Sequence, residues 1–260
     1  MSSRRRAPKK KSNDKFVRII VQAVVALSFV SLAYFFFHKL YPADNADWGP
    51  EDFGNKYEVR GIDLSHHNEK VNWNIVRERN ISFAYLKVTE GSSLCDREYR
   101  QNYRRAKANN IHVGTYHFFS FRTPGNEQAK HFIEEAVCKK GDMVPAIDVE
   151  HSPGNKYSSK KEVRSKVVEE LKVFEQKIRN HYGCYPLIYT NKECYELYIK
   201  DNFSKNPIWI CDLKDEPDRK IDNWVIWQFS HKGKLTGTAG HIDLNYYRYS
   251  FDKFKKELLL

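Results

Sequence analysis

Hydrophobic and polar positions change period repeatedly along this chain. Short runs rich in β-branched and aromatic residues, near 59–64, 82–88, 112–119, 143–149, 185–190, 207–211, 224–229 and 241–246, read as strands. Between the early runs, near 72–79, 96–109, 126–139 and 160–181, apolar residues recur at helical spacing. The last of these is the plainest helix. Val163, Val167, Leu171, Phe174 and Ile178 form one stripe, and Ser158 or Ser159 with Glu162 supplies a capping box. Pro124-Gly125-Asn126 opens the helix before it, ahead of Ala129, Phe132, Ile133, Ala136 and Val137. Alternation of strand and helix predicts parallel βα units for the first five strands. Beyond residue 184 the gaps are too short for a helix after every strand. The pattern therefore predicts an α/β fold, an irregular TIM-like (β/α) barrel whose last strands lack full helices. A regular doubly wound sheet is the alternative.

A different pattern precedes this body. From Ile19 to Phe37 the chain carries no charge, and Gln22 is its one strongly polar residue. That length suits a membrane-spanning helix, which takes roughly 17–25 apolar residues. Arg4, Arg5, Arg6, Lys9, Lys10, Lys11, Lys15 and Arg18 stand before it against the single acid Asp14. By the positive-inside rule they keep the N-terminus in the cytoplasm. The predicted organisation is a basic cytoplasmic tail (1–18), a transmembrane signal anchor (19–37), a turn-rich linker (38–58) and a barrel domain (59–260). The barrel then lies outside the cytoplasm, in the periplasm or at the cell surface. The alternative is a protein secreted after cleavage near Ser31-Leu32-Ala33. Against cleavage, the run is longer than the apolar core of a signal peptide and ends in bulky Tyr34, Phe35, Phe36 and Phe37.

Charge and cysteine usage narrow the function further. The net charge of +11 suggests a nucleic-acid partner, but residues 1–18 hold +7 of it. The body lacks the basic excess such binding needs, so no nucleic-acid partner is expected. Five cysteines, Cys95, Cys138, Cys184, Cys194 and Cys211, contain no CxxC pair, which argues against a zinc ribbon or dithiol redox centre. Cys184 and Cys194 are a candidate disulfide, and the odd count leaves one thiol over.

The chemistry concentrates at strand ends. In Met143-Val-Pro-Ala-Ile-Asp148-Val-Glu150 two carboxylates stand at i and i+2, so on a strand they share a face. At the C-terminal end of a barrel strand that face looks into the substrate pocket. Such a pair suits acid–base cleavage of a glycoside, although a loop-opening or helix-capping pair has the same spacing. Glu150, nearer the mouth and longer, is the better proton donor. Asp63 ends the first strand, and Asp243 shares a face with Asn245 near the last. Tyr116, Lys87, Glu90, Trp209, Trp227 and Gln228 are the remaining candidates for lining the site. His66, His67 and His117 raise the question of a metal, but no HExxH-like spacing supports one. No GxSxG elbow supports a serine nucleophile.

Seven separated segments resemble, in order, the glycoside hydrolase family 25 lysozymes, the Chalaropsis-type N-acetylmuramidases. They are GIDLSHHN at 61–68, FAYLKVTEG at 83–91, VGTYHFF at 113–119, PAIDVE at 145–150, PLIYTN at 186–191, WQFS at 227–230 and HIDLNYY at 241–247. The resemblance implies a β/α barrel that cleaves the β-1,4 bond between N-acetylmuramic acid and N-acetylglucosamine in peptidoglycan. Glu150 would protonate the leaving oxygen. Asp148 would stabilise the developing positive sugar or its N-acetyl group. Asp63 and Asp243 match the family's other active-site acids, Tyr116 its cleft tyrosine, and Trp227 a pocket aromatic. No cofactor and no metal are implied. The segment Pro207-Ile-Trp-Ile-Cys-Asp212 and the charged stretch 212–223 depart from the family pattern, which bears on the glycan stems accepted. A noncatalytic, membrane-tethered peptidoglycan-binding protein on the same fold is the competing reading.

Overall fold

The computed structural model describes residues 56–68, 70–217, 221 and 223–260, together with Gln22. The tail 1–18, the rest of the anchor 19–37 and most of the linker 38–58 lie outside the described residues. Among the described residues no helix is long and apolar enough to cross a membrane.

Among the described residues nine strands run in chain order: β1 (Val59–Leu64), β2 (Ile81–Glu90), β3 (Leu94–Cys95), β4 (His112–Phe118), β5 (Ala146–Val149), β6 (Leu187–Asn191), β7 (Ile208–Cys211), β8 (Trp224–Gly233) and β9 (Ile242–Tyr247). The helices are α1 (Trp73–Arg77), α2 (Tyr99–Ala108), α3 (Gly125–Glu135), α4 (Lys161–Tyr182), α5 (Lys192–Cys194), which runs into a π turn at Tyr195–Ile199, and α6 (Phe251–Leu258). The sheet order is β1-β9-β8-β7-β6-β5-β4-β2-β3, and β1 also pairs with β2. That pairing closes eight strands into a barrel and excludes the open doubly wound sheet. The two-residue β3 is only a hairpin return on β2. Strands β1 to β8 run parallel around the barrel apart from β3, whereas β9 is antiparallel to both of its neighbours. The tight β8–β9 connection leaves no room for a helix, as the shrinking gaps anticipate.

Period-two alternation sorts each strand between two cores. Outward residues such as Ile62, Leu86, Ile147, Val149, Ile188 and Ile210 pack under the helices. Inward residues Val59, Phe83, Tyr85, Ala146, Leu187, Trp209, Ile226 and Tyr247 fill the barrel. Two glycines make room for the large rings. A Cβ on Gly61 would stand 2.2 Å from the Phe83 ring, and one on Gly114 would stand 2.2 Å from the Tyr85 ring. The neighbouring large residues thus require small partners at these positions. The Phe254 and Leu258 side chains of α6 join the same inner core.

Several local expectations shift. Helix α4 begins at Lys161, with Lys160 as N-cap and no side-chain cap. Neither serine caps it, and the Arg164 guanidinium instead binds the carbonyls of Ser158 and Ser159. Its buried stripe starts at Val167, leaving Val163 exposed. Its end is marked by Gly183 at φ +72°, a left-handed residue whose N–H reaches the Arg179 carbonyl. Helix α3 stops at Glu135, short of 139. The Val137 N–H has turned to the Tyr99 hydroxyl (2.7 Å) and the Lys139 N–H to Asp142 (2.9 Å). All five cysteines are free. The candidate pair is separated by the barrel wall: Cys194 lies in the outer core, while Cys184 packs against the inner one.

Candidate active site

The inward positions turn polar at the C-terminal ends of the strands. Continuing the alternation past the apolar layers leads from Gly61 to Asp63, from Tyr85 to Lys87, from Ala146 to Asp148, and from Ile226 to Gln228. On antiparallel β9 the same face carries Tyr247, Asn245 and Asp243. The cavity that opens there is lined by Asp63, Tyr116, Asp148, Glu150, Tyr189, Trp209, Gln228, His231 and Asp243. At about 140 Å³ it falls below the roughly 300–1,000 Å³ of pockets that swallow a whole small ligand. It can hold the reacting part of a larger substrate but not the whole of one.

Asp63 is fixed by a chain of side chains. Its Oδ2 accepts from Gln228 Nε2 (2.9 Å) and from Asn245 Nδ2 (2.7 Å). Gln228 Oε1 accepts from the Tyr189 hydroxyl at 2.8 Å, and Asn245 Oδ1 accepts from Trp209 Nε1 at 2.7 Å. Each buried polar group in this chain therefore has a partner, which a low-dielectric site demands. Asp63 stands directly opposite Asp243 in the β1–β9 register. Burial first, and then the Asp243 charge, raise the Asp63 carboxyl well above the ordinary range, against the pull of the two amides.

Strand β5 supplies the other two acids. Asp148 is buried and its Oδ1 makes no hydrogen bond with the described residues. Burial and the neighbouring Glu150 raise its carboxyl well above normal, and Lys87 opposes the shift. Glu150 follows the last residue of β5 and is more open. Burial raises it too, while His231 pulls the other way. The site thus holds protons on carboxyls above the pH at which free acids would lose them. A proton donor and a carboxylate can coexist in it.

Seven of the anticipated residues line this cavity: Asp63, Tyr116, Asp148, Glu150, Trp209, Gln228 and Asp243. Three do not. Trp227 lies in the outer core, its Nε1 donating to the Asp212 carbonyl at 2.7 Å. Adjacent strand residues face opposite ways, so an inward Gln228 sends Trp227 outward. Lys87 and Glu90 pair with each other at 2.6 Å beside the cavity rather than in its wall. Two lining residues were not anticipated. Tyr189 could have been found by alternation from Leu187, but His231 could not, because β8 is irregular before it. The histidines do not form a metal centre. His117 is buried between Thr89 and Gln128 and held neutral, its pKa lowered by burial to about 3. His66 binds Asp96 at 2.9 Å. Among the described residues no cluster of three His, Cys, Asp or Glu side chains is placed to hold a metal ion.

Similarity to known proteins agrees with this geometry. A family 25 glycosyl hydrolase structure from Bacillus anthracis superposes with a TM-score of 0.71 at 33% identity, covering 78% of this chain and 94% of that one. The N,O-diacetylmuramidase of Chalaropsis sp is 29% identical over 212 residues, 76% of this chain and 98% of the relative. Lysozyme M1 of Streptomyces globisporus is 26% identical over 215 residues, 78% and 71% of the two chains. The family model for glycosyl hydrolases family 25 matches residues 62–238, from Ile62 on β1 to the β8–β9 connection, and the chain belongs to that family.

Proposed function

We propose that this chain is a muramidase that hydrolyses the β-1,4 bond between N-acetylmuramic acid and N-acetylglucosamine in peptidoglycan. One observation carries the reading: Asp63, Asp148, Glu150 and Asp243 converge on a single cavity at the C-terminal end of a family 25 barrel. A protein that only bound glycan would not need four carboxyl groups in one small cavity, where each raises the cost of ionising the next.

Glu150 is the proton donor to the leaving glycosidic oxygen. Enclosure alone would put the proton on Asp148, which is the more buried acid. Reach decides the role instead, because Glu150 stands at the mouth where a polymer lies, and substrate covering it dehydrates it further. Asp148, which lines the cavity, faces the positive charge that develops on the sugar or its N-acetyl group. Asp63, immobilised by Gln228 and Asn245, orients the reacting group together with Asp243. Tyr116 and Trp209 form the aromatic wall. No step calls for a metal or cofactor.

Digestion of purified peptidoglycan by the full chain, followed by reduction and sugar analysis, tests the reading. New muramic-acid reducing ends are expected, and glucosamine reducing ends would overturn it. The proposal extends to the barrel domain 59–260 being held outside the cytoplasm by the apolar run 19–37. That part is contradicted by fractionation in which only a shortened, soluble form is found.

A further inference from the structure

The β8–β9 pairing contains a step that neither the acids nor the motifs require. Gln228 pairs with Asn245, but the next pair is Ser230 with Leu244, so two residues of β8 are spent against one of β9. The register then slips again between Ser230 and Gly233, which pairs with Ile242. An unbroken ladder would set Ser230 opposite Asp243. The extra residue moves the strand on by one, and a one-residue slip exchanges the two faces. His231 takes the inward place. Its Nδ1 lies 3.5 Å from Asp243 Oδ1, its Nε2 lies 3.9 Å from Cys211 Sγ on β7, and its ring lines the cavity with Glu150.

We propose that His231 is a positioning residue of this centre: the bulge delivers an imidazolium that clamps the Asp243 carboxylate on one wall and faces the acid Glu150 on the other. The inference rests on the muramidase reading for the role of Glu150, but the ion pair itself does not. The charged and titratable groups around His231 are Asp243 from β9, Cys211 from β7, Glu150 beyond β5, and Lys232, exposed beside it on β8. Lys87, from β2, also acts on Glu150. The bond to Asp243 and the contact with Cys211 outweigh partial burial and raise the imidazole to about 10, so it stays charged through the neutral range.

The sign of the effect on Glu150 follows. A cation opposite a carboxyl favours its ionised form. Glu150 must be protonated to act, so loss of its proton sets the alkaline limb of kcat/KM. His231→Gln removes the opposing cation, and that limb moves to higher pH. Losing the half-exposed ion pair with Asp243 also lowers kcat, by no more than about fivefold. His231→Lys keeps a cation and returns the limb toward the wild-type position.

Two measurements test this. The pH profiles of wild type, His231→Gln and His231→Lys on peptidoglycan are expected to show the upward shift in the first variant and its reversal in the second. A limb that stays put in His231→Gln, whatever happens to the rate, overturns the proposal. The second is an NMR titration of the His231 ring in the wild type and in Asp243→Asn, without substrate. A lower midpoint in the variant supports the clamp, and an unchanged midpoint overturns it. Because the titration needs no turnover, it decides the ion pair even if the wild type releases no muramic-acid ends. That result would sink the muramidase reading instead.

Discussion

Strands β5 and β8 both deliver polar side chains to the cavity, and they do so by different rules. Strand β5 is short, regular and parallel to both neighbours, with Ile147 and Val149 packed outward. Asp148 and Glu150 follow from counting by twos. Strand β8 is parallel to β7 and antiparallel to β9, and its pairing breaks three times, once against β7 and twice against β9. It brings in Gln228 by alternation and His231 by a bulge. A regular strand sets the spacing of the acids, and an irregular one aims the groups that surround them.

Replacing Asp148 by Asn should produce the largest break on the β5 side. Turnover is expected to fall by about 10²–10⁴-fold, since an amide cannot balance positive charge on the sugar. The same variant should be more stable near neutral pH. The folded-state pKa of Asp148 is raised by burial, so the native state binds the proton more tightly than the unfolded chain. Its contribution to stability is therefore greatest below the unfolded pKa and declines as pH rises toward the folded one. Thermal melts of wild type and Asp148→Asn should converge at low pH and separate, variant higher, near pH 7. A variant melting lower at pH 7 would show that the folded state stabilises the ionised Asp148 carboxylate, against the upward shift that burial imposes.

A smaller effect separates the two faces of β8. Gln228→Ala removes hydrogen bonds to Asp63 and Tyr189 and should lower kcat, by about tenfold. Trp227→Phe, one residue away, loses the bond to the Asp212 carbonyl and some outer packing. It should cost stability while leaving KM and kcat within about twofold (taking its outward position as decisive). A large rise in KM for Trp227→Phe would put that ring back in the substrate path.

How far the chain can be read without a structure follows the same division. The eight barrel strands and helices α3 and α4 are visible because each buries a periodic face, and α1 and α2 because they fall between strands where a crossover needs a helix. The terminal helix α6 is not, because its buried side chains are just Phe254 and Leu258, and one i, i+4 pair gives no sustained period. The π turn after α5 is likewise too short for periodicity to mark. Among the site residues, the acids stand at strand ends where alternation and ordered motifs both point to them. The motif WQFS does not show that Trp227 faces the outer core, because it gives no inward direction until the pairing of Gln228 with Asn245 is known. His231 is not legible in the sequence, because the inserted residue between Gln228 and Ser230 reverses the parity of the strand.

A single comparison tests whether Glu150 supplies the proton. The full chain and its Glu150→Gln variant are given the same insoluble peptidoglycan, and bound protein and released reducing sugar are measured together. Retained binding is expected, with turnover reduced by about 10²–10⁴-fold, because an amide of the same shape fills the cavity but cannot donate the proton. Turnover equal to that of the unaltered chain would contradict it.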